Sequence, residues 1–320
     1  MRRKFFDSGK AIRRAALGIV ALAALIVPGP VAFAGSPSTD HRSSVIELPG
    51  ASSAEGIAAG KGTTFFAGDL AKGDIFRGDI HKGKARLFID VPDGRAAVGM
   101  KADVRHDLLF VAGGATGQAY VYDTGSRKTV ATYQLTEVSA QHPAFINDVT
   151  LTRDGAWFTN SRKGELYFIP VNHDGHPGDV ETLTLTGPAA ATPGDFNLNG
   201  IAAADGGRTL IVAHSADGAL YTVDPETGAS AAITGVSVPF VDGILVKGNT
   251  LWAVQNQLNQ ISRVRLDPGL DSGDVKDVIT SPEFQVPTTA ALFDDTLAAV
   301  NAKFGVPGAN KFEVVLVDAR

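Results

Sequence analysis

Short apolar or alternating runs, broken by glycine and by Asp-Gly turns, fill the chain from about residue 44 to its end. Residues 198–224 show the unit most clearly. Polar Asn199 opens a short apolar run, and Asp205-Gly206 turns the chain. A second run covers 209–213, Asp217-Gly218 makes the next turn, and 219–223 forms a third run ending on Asp224. Three short strands joined by tight turns, with a fourth after Asp224, predict one antiparallel sheet.

The unit recurs. Its openings are Glu55, Val98, Asn147, Asn199, Asp242 and Thr288, spaced 43 to 52 residues apart. Second strands are predicted near 63–67, 108–112, 156–160, 250–254 and 296–301, and third strands near 74–77, 119–123, 165–169, 261–266 and 312–318. That period is the length of a four-stranded propeller blade, so the pattern predicts an all-β, six-bladed β-propeller. Residues 44–48 alternate like a strand and precede the first blade. They are predicted to pair with the last blade, because a propeller must join its ends or leave an exposed edge.

Composition changes this picture at one end. Arg2, Arg3, Lys4, Lys10, Arg13 and Arg14 precede an apolar stretch over 15–27, and Ala32-Phe33-Ala34 is an A-x-A site. These features read as a secretory signal cut after Ala34, with 35–320 as one propeller domain and 35–44 as a polar leader. An uncut membrane anchor is the competing reading, but the stretch is short for a bilayer. The leader's six basic residues and one acid contribute +5, so the chain's net −5 becomes −10 without it. An acidic exported product without basic clusters argues against nucleic acid as a partner and against a stable membrane association after cleavage. There is no cysteine, which removes disulfides and thiolate metal sites.

The candidate chemistry lies at the blade openings, which face one channel. Glu55, Asn147, Asn199 and Asp242 offer two carboxylates and two amides in register, with no histidine or sulfur among them. Oxygen ligands of modest charge suit a calcium ion, whereas zinc prefers His or Cys. Asn199-Gly200 and Asp242-Gly243 are also turn dipeptides, but the repeat's turn positions are already filled by other Asp-Gly pairs.

Several of these segments resemble the senescence-marker-protein/gluconolactonase (regucalcin-like) family and the related diisopropyl fluorophosphatase. They are Glu55-Gly56, Phe145-Ile146-Asn147-Asp148, Leu198-Asn199-Gly200-Ile201 and Val241-Asp242-Gly243-Ile244, the last followed by Leu251-Trp252-Ala253-Val254. The resemblance covers all six blades. It implies a calcium ion held by Glu55, Asn199 and Asp242, with Asn147 a ligand or a contact to bound substrate. It also implies that Asp242 is the catalytic carboxylate, acting as base or nucleophile. Sugar-lactonase members carry an arginine two residues before the blade-three asparagine. Here that residue is Phe145, which points to a less polar substrate. His142, on the loop before Phe145, is a candidate acid or base near the mouth. His214 falls on an inner or second strand of blade four, where packing is preferred over lining the channel, and Trp157 and Trp252 are expected to pack between blades. His106 and His173 fall at turns.

Two functions follow. One is a secreted, calcium-dependent hydrolase of a small-molecule lactone, ester or phosphotriester. The other is an extracellular propeller that binds a partner without turnover, with structural calcium or no metal. A quinone-dependent propeller lacks the basic or aromatic cluster it would need.

Overall fold

The computed structural model describes residues 44–320. The predicted signal and nearly all of the polar leader lie outside them. Among the described residues there is no α-helix, and no helix is long and apolar enough to cross a membrane. The chain forms six four-stranded antiparallel sheets, the blades of a six-bladed β-propeller.

Five blades are consecutive meanders. Blade one begins at Ile57–Ala59, blade two at Met100–Asp103, blade three at Ile146–Leu151, blade four at Leu198–Ala204 and blade five at Val241–Lys247. Blade six starts at Pro287–Phe293, continues through Thr296–Asn301 and Glu313–Asp318, and takes the first described strand as its outermost. Val45–Glu47 pairs antiparallel with Glu313–Asp318, Val45 opposite Val315. The ring is therefore closed by the strand predicted to close it, and no blade is left to complete itself alone.

The strand sequences explain the layering. Second strands are buried on both faces and read as nearly continuous apolar runs: Leu108–Ala112 and Gly155–Asn160 are buried throughout. Outer strands such as Thr129–Gln134 and Glu181–Thr184 are largely exposed and polar. The core is a series of clusters between neighbouring sheets. Trp157 of blade three packs with Leu198 and Val212 of blade four, and Trp252 of blade five with Leu297 and Val315 of blade six. Both tryptophans are thus inter-blade packing residues, as expected. His214 is fully buried at the end of blade four's second strand, edge-on to Tyr221, with Nε2 2.9 Å from the Ala191 carbonyl.

Candidate functional site

The inner strands position the site by breaking their own ladders. Pairing with the second strand shifts register between Ile146 and Val149, between Leu198 and Ile201, and between Val241 and Ile244. The bulged residues are Asn147-Asp148, Asn199-Gly200 and Asp242-Gly243. A bulge re-aims side chains that a regular strand would alternate between faces. The two dipeptides that could have been turns are therefore on inner strands. Their glycines answer to close packing: a Cβ on Gly200 would sit 2.5 Å from the Asp242 carbonyl oxygen, and one on Gly243 only 2.1 Å from Thr289 Oγ1.

The amides have a defined orientation. Asn147 Nδ2 donates to Ser161 Oγ at 2.9 Å, and that hydroxyl donates to the Leu198 carbonyl at 2.6 Å. Asn199 Nδ2 donates to Ser215 Oγ at 2.9 Å, and Ser215 Oγ to the Val241 carbonyl at 2.6 Å. A serine has one hydroxyl proton. Both serines direct it at a carbonyl, so each can only accept from its asparagine. The amide nitrogens are thereby committed to the serines, leaving both amide oxygens available as acceptors. In blade five the equivalent position is Asn256, whose Nδ2 donates to Asp242 Oδ2 at 2.8 Å. These three partners follow their asparagine or aspartate by 14, 16 and 14 residues, each just after a second strand. That shared register was the available signal for them, and sequence reasoning missed it.

The carboxylates are crowded and buried. Glu55 is buried, and its Oε2 has no hydrogen-bond partner. Burial first, then the charges of Asp242 and Asp148, hold its carboxyl well above the usual carboxylate range. Burial also pushes Asp242 up to about 7, and the charge of Asp148 adds to this, against the opposing hydrogen bonds of Asn256 and Asn199. Asp148 is a third buried carboxylate that the sequence reading did not assign. Burial raises it, while Lys101 and the amides of Val149 and Ile201 hold it down.

The other two openings contribute no ligand. Val98 is fully buried, and Thr288 Oγ1 donates to the Glu55 carbonyl at 2.7 Å. Glu55, Asn147, Asn199, Asp242 and Phe145 line one cavity of about 480 Å³, with Phe196, Phe240 and Phe304 at its rim. His142 is exposed on its loop and is not among the lining residues.

The donor set can be tested against calcium. An orphaned buried carboxylate oxygen, a second carboxylate charged only at a cost, and two amide oxygens held available all answer to a hard cation. Among the described residues no group of three or more His, Cys, Asp or Glu is arranged to hold a metal, so a calcium site here depends on the amides.

Comparison with known proteins extends the fold. No family model matches the chain, and no curated protein matches it. Solved structures do. A Lactobacillus plantarum protein aligns with a TM-score of 0.58 at 16% identity, covering 78% of this chain and 77% of its own. The Malassezia sympodialis allergen Mala s 1 aligns at 0.60 and 17%, covering 80% and 90%. Virginiamycin B lyase from Staphylococcus aureus, crystallised as an inactive variant with quinupristin, aligns at 0.55 and 15%, covering 82% and 80%. At these identities the likeness is one of fold. Fold and site together define a six-bladed propeller with a buried carboxylate–amide cluster in its channel.

Proposed function

We propose that this protein is a calcium-dependent hydrolase of a lactone, ester or phosphotriester, exported by its N-terminal leader. The observation that carries the reading is the unpartnered, buried Glu55 Oε2 beside a second raised carboxylate and two serine-oriented amides. A buried acceptor set of this kind is costly unless a cation completes it. Glu55, Asn147, Asn199 and Asp242 would hold the ion. Calcium, when bound, would polarise the substrate's carbonyl or phosphoryl oxygen.

The chain's own chemistry centres on Asp242. Its carboxylate takes a proton from water as the water oxygen adds to the acyl carbon or phosphorus. The bond to the leaving oxygen breaks, and the proton passes to that oxygen. In the metal-free fold burial raises the Asp242 carboxyl, and a bound cation would draw it back towards the ionised form that a base needs. Asn256 holds one oxygen of Asp242 and so sets its orientation.

Calorimetric titration of chelator-treated protein with calcium tests the site. Binding in the wild type and its loss in Asp242→Ala are expected. Absence of binding in the wild type overturns the proposal. A panel of esters and lactones then tests turnover. Binding without turnover would leave the non-catalytic propeller.

A further inference from the structure

The rim of the same cavity carries a feature that the carboxylates and amides do not explain. Among the described residues three phenylalanines are exposed, Phe196 at 43%, Phe240 at 52% and Phe304 at 41%, and all three line this mouth. The other large apolar side chains exposed to the same degree are aliphatic and line no part of it. The three come from separate connections: before the inner strand of blade four, before that of blade five, and after the second strand of blade six. Phe145 and Leu70 continue the surface inwards. Exposed aromatics collected at one cavity mouth mark a binding surface.

Two of these rings are held in place. Phe196 packs edge-on against Phe145, with centroids 5.2 Å apart, and Arg162 lies over its ring at 5.1 Å. Arg162 is itself anchored to Asp195. Phe240 has φ of +58°, a conformation in which an aromatic residue is strained. Its carbonyl accepts from the Asn256 amide at 3.1 Å, which ties the strained residue to the partner of Asp242. No lysine, arginine or histidine lines the cavity. An anionic substrate would therefore find no cationic side chain in the cavity wall, only the ion that the carboxylates would hold.

Resting on the hydrolase reading for its reacting group, we infer that the site selects uncharged lactones or esters bearing an extended alkyl or aryl chain. The reactive carbonyl lies among the channel oxygens, and the chain lies across Phe145, Phe196, Phe240 and Phe304. Polyhydroxylated sugar lactones are disfavoured, because the rim offers rings where their hydroxyls need partners.

The test reads binding separately from turnover. Calorimetry on the full chain with calcium uses uncharged, non-hydrolysable lactams carrying alkyl chains of increasing length, with a polyhydroxylated lactam beside them. Affinity is expected to rise about two- to fourfold per methylene until the wall is covered. Phe196→Ala and Phe240→Ala are expected to flatten that rise. Phe240→Gly is expected to flatten it while raising Tm, since it removes both the ring and the strained φ. A flat series in the wild type, an unchanged rise in the variants, or tightest binding of the polyhydroxylated lactam overturns the inference. Should the lactams bind with this slope while esters of every chain length survive intact, the hydrolase reading falls and the apolar site stands. Cleavage of esters without regard to chain length would do the reverse.

Discussion

The channel has two unlike halves built on the same scaffold. Blades three, four and five each present a polar opening residue braced from a fixed position downstream: Asn147 by Ser161, Asn199 by Ser215, Asp242 by Asn256. In blades six, one and two the bracing is absent or turned elsewhere. Thr288 directs its hydroxyl at a backbone carbonyl, and Val98 has nothing to brace. In blade one Asp69 follows the second strand but is held by Ser52 and Ser53, and Glu55 Oε2 is left without a partner. Six blades of one plan thus carry a polar, pre-aimed half and a half that closes the ring. The repeat supplies positions, and a few substitutions decide which positions do chemistry.

That contrast can be broken by experiment. The largest effect is expected from Asp242→Asn, which keeps the shape of blade five's opening and removes its basicity. An ester or lactone turnover assay should show a loss of about 10²- to 10⁴-fold in kcat/KM, with the circular dichroism spectrum unchanged. Next comes the scaffold that both halves share. Gly243→Ala would drive a Cβ against Thr289 of blade six, where 2.1 Å is available, and denaturant unfolding should report a loss of about 1–3 kcal/mol.

The pH dependence follows from the same crowding. Asp242 and Glu55 bind protons more tightly folded than unfolded, so the metal-free fold gains stability on the acid side. For Asp242 that contribution is complete below its ordinary value of 3.8 and lost as pH rises through about 7. Thermal melts in chelator should give a higher Tm at pH 5 than at pH 8, and calcium should raise the pH 8 value most. Smaller still, Ser215→Ala frees the Asn199 amide and strips the Val241 carbonyl of its partner. It should lower stability by about 1–2 kcal/mol and weaken calcium binding in calorimetry. The control in the other half is Thr288→Val, expected to lower stability by about 1 kcal/mol while calcium affinity holds.

The fold was legible because each blade repeats its turns and buried strands at one period, and the closing strand because it alternates outside any blade. That Glu55, Asn147, Asn199 and Asp242 face one cavity was legible from register alone. Their bracing was not: Ser161 and Ser215 are ordinary polar residues until the bulges bring an asparagine and a neighbouring carbonyl within reach. Asp148 was overlooked because a bulge lets two successive residues act where strand alternation allows one. Phe196, Phe240 and Phe304 lie on connections, which have no periodicity to betray them.

Closure by Val45–Glu47 has a consequence in time. Its partner strand, Glu313–Asp318, follows every other described strand, so the pairing of Val45 with Val315 spans nearly the whole described chain. Five blades can form from neighbouring segments as they emerge, but the sixth must wait until Glu313–Asp318 is available to Val45–Glu47. Contacts this remote in sequence slow the final folding step. The cavity, whose walls come from blades on both sides of this seam, is complete only once the first and last described strands have met.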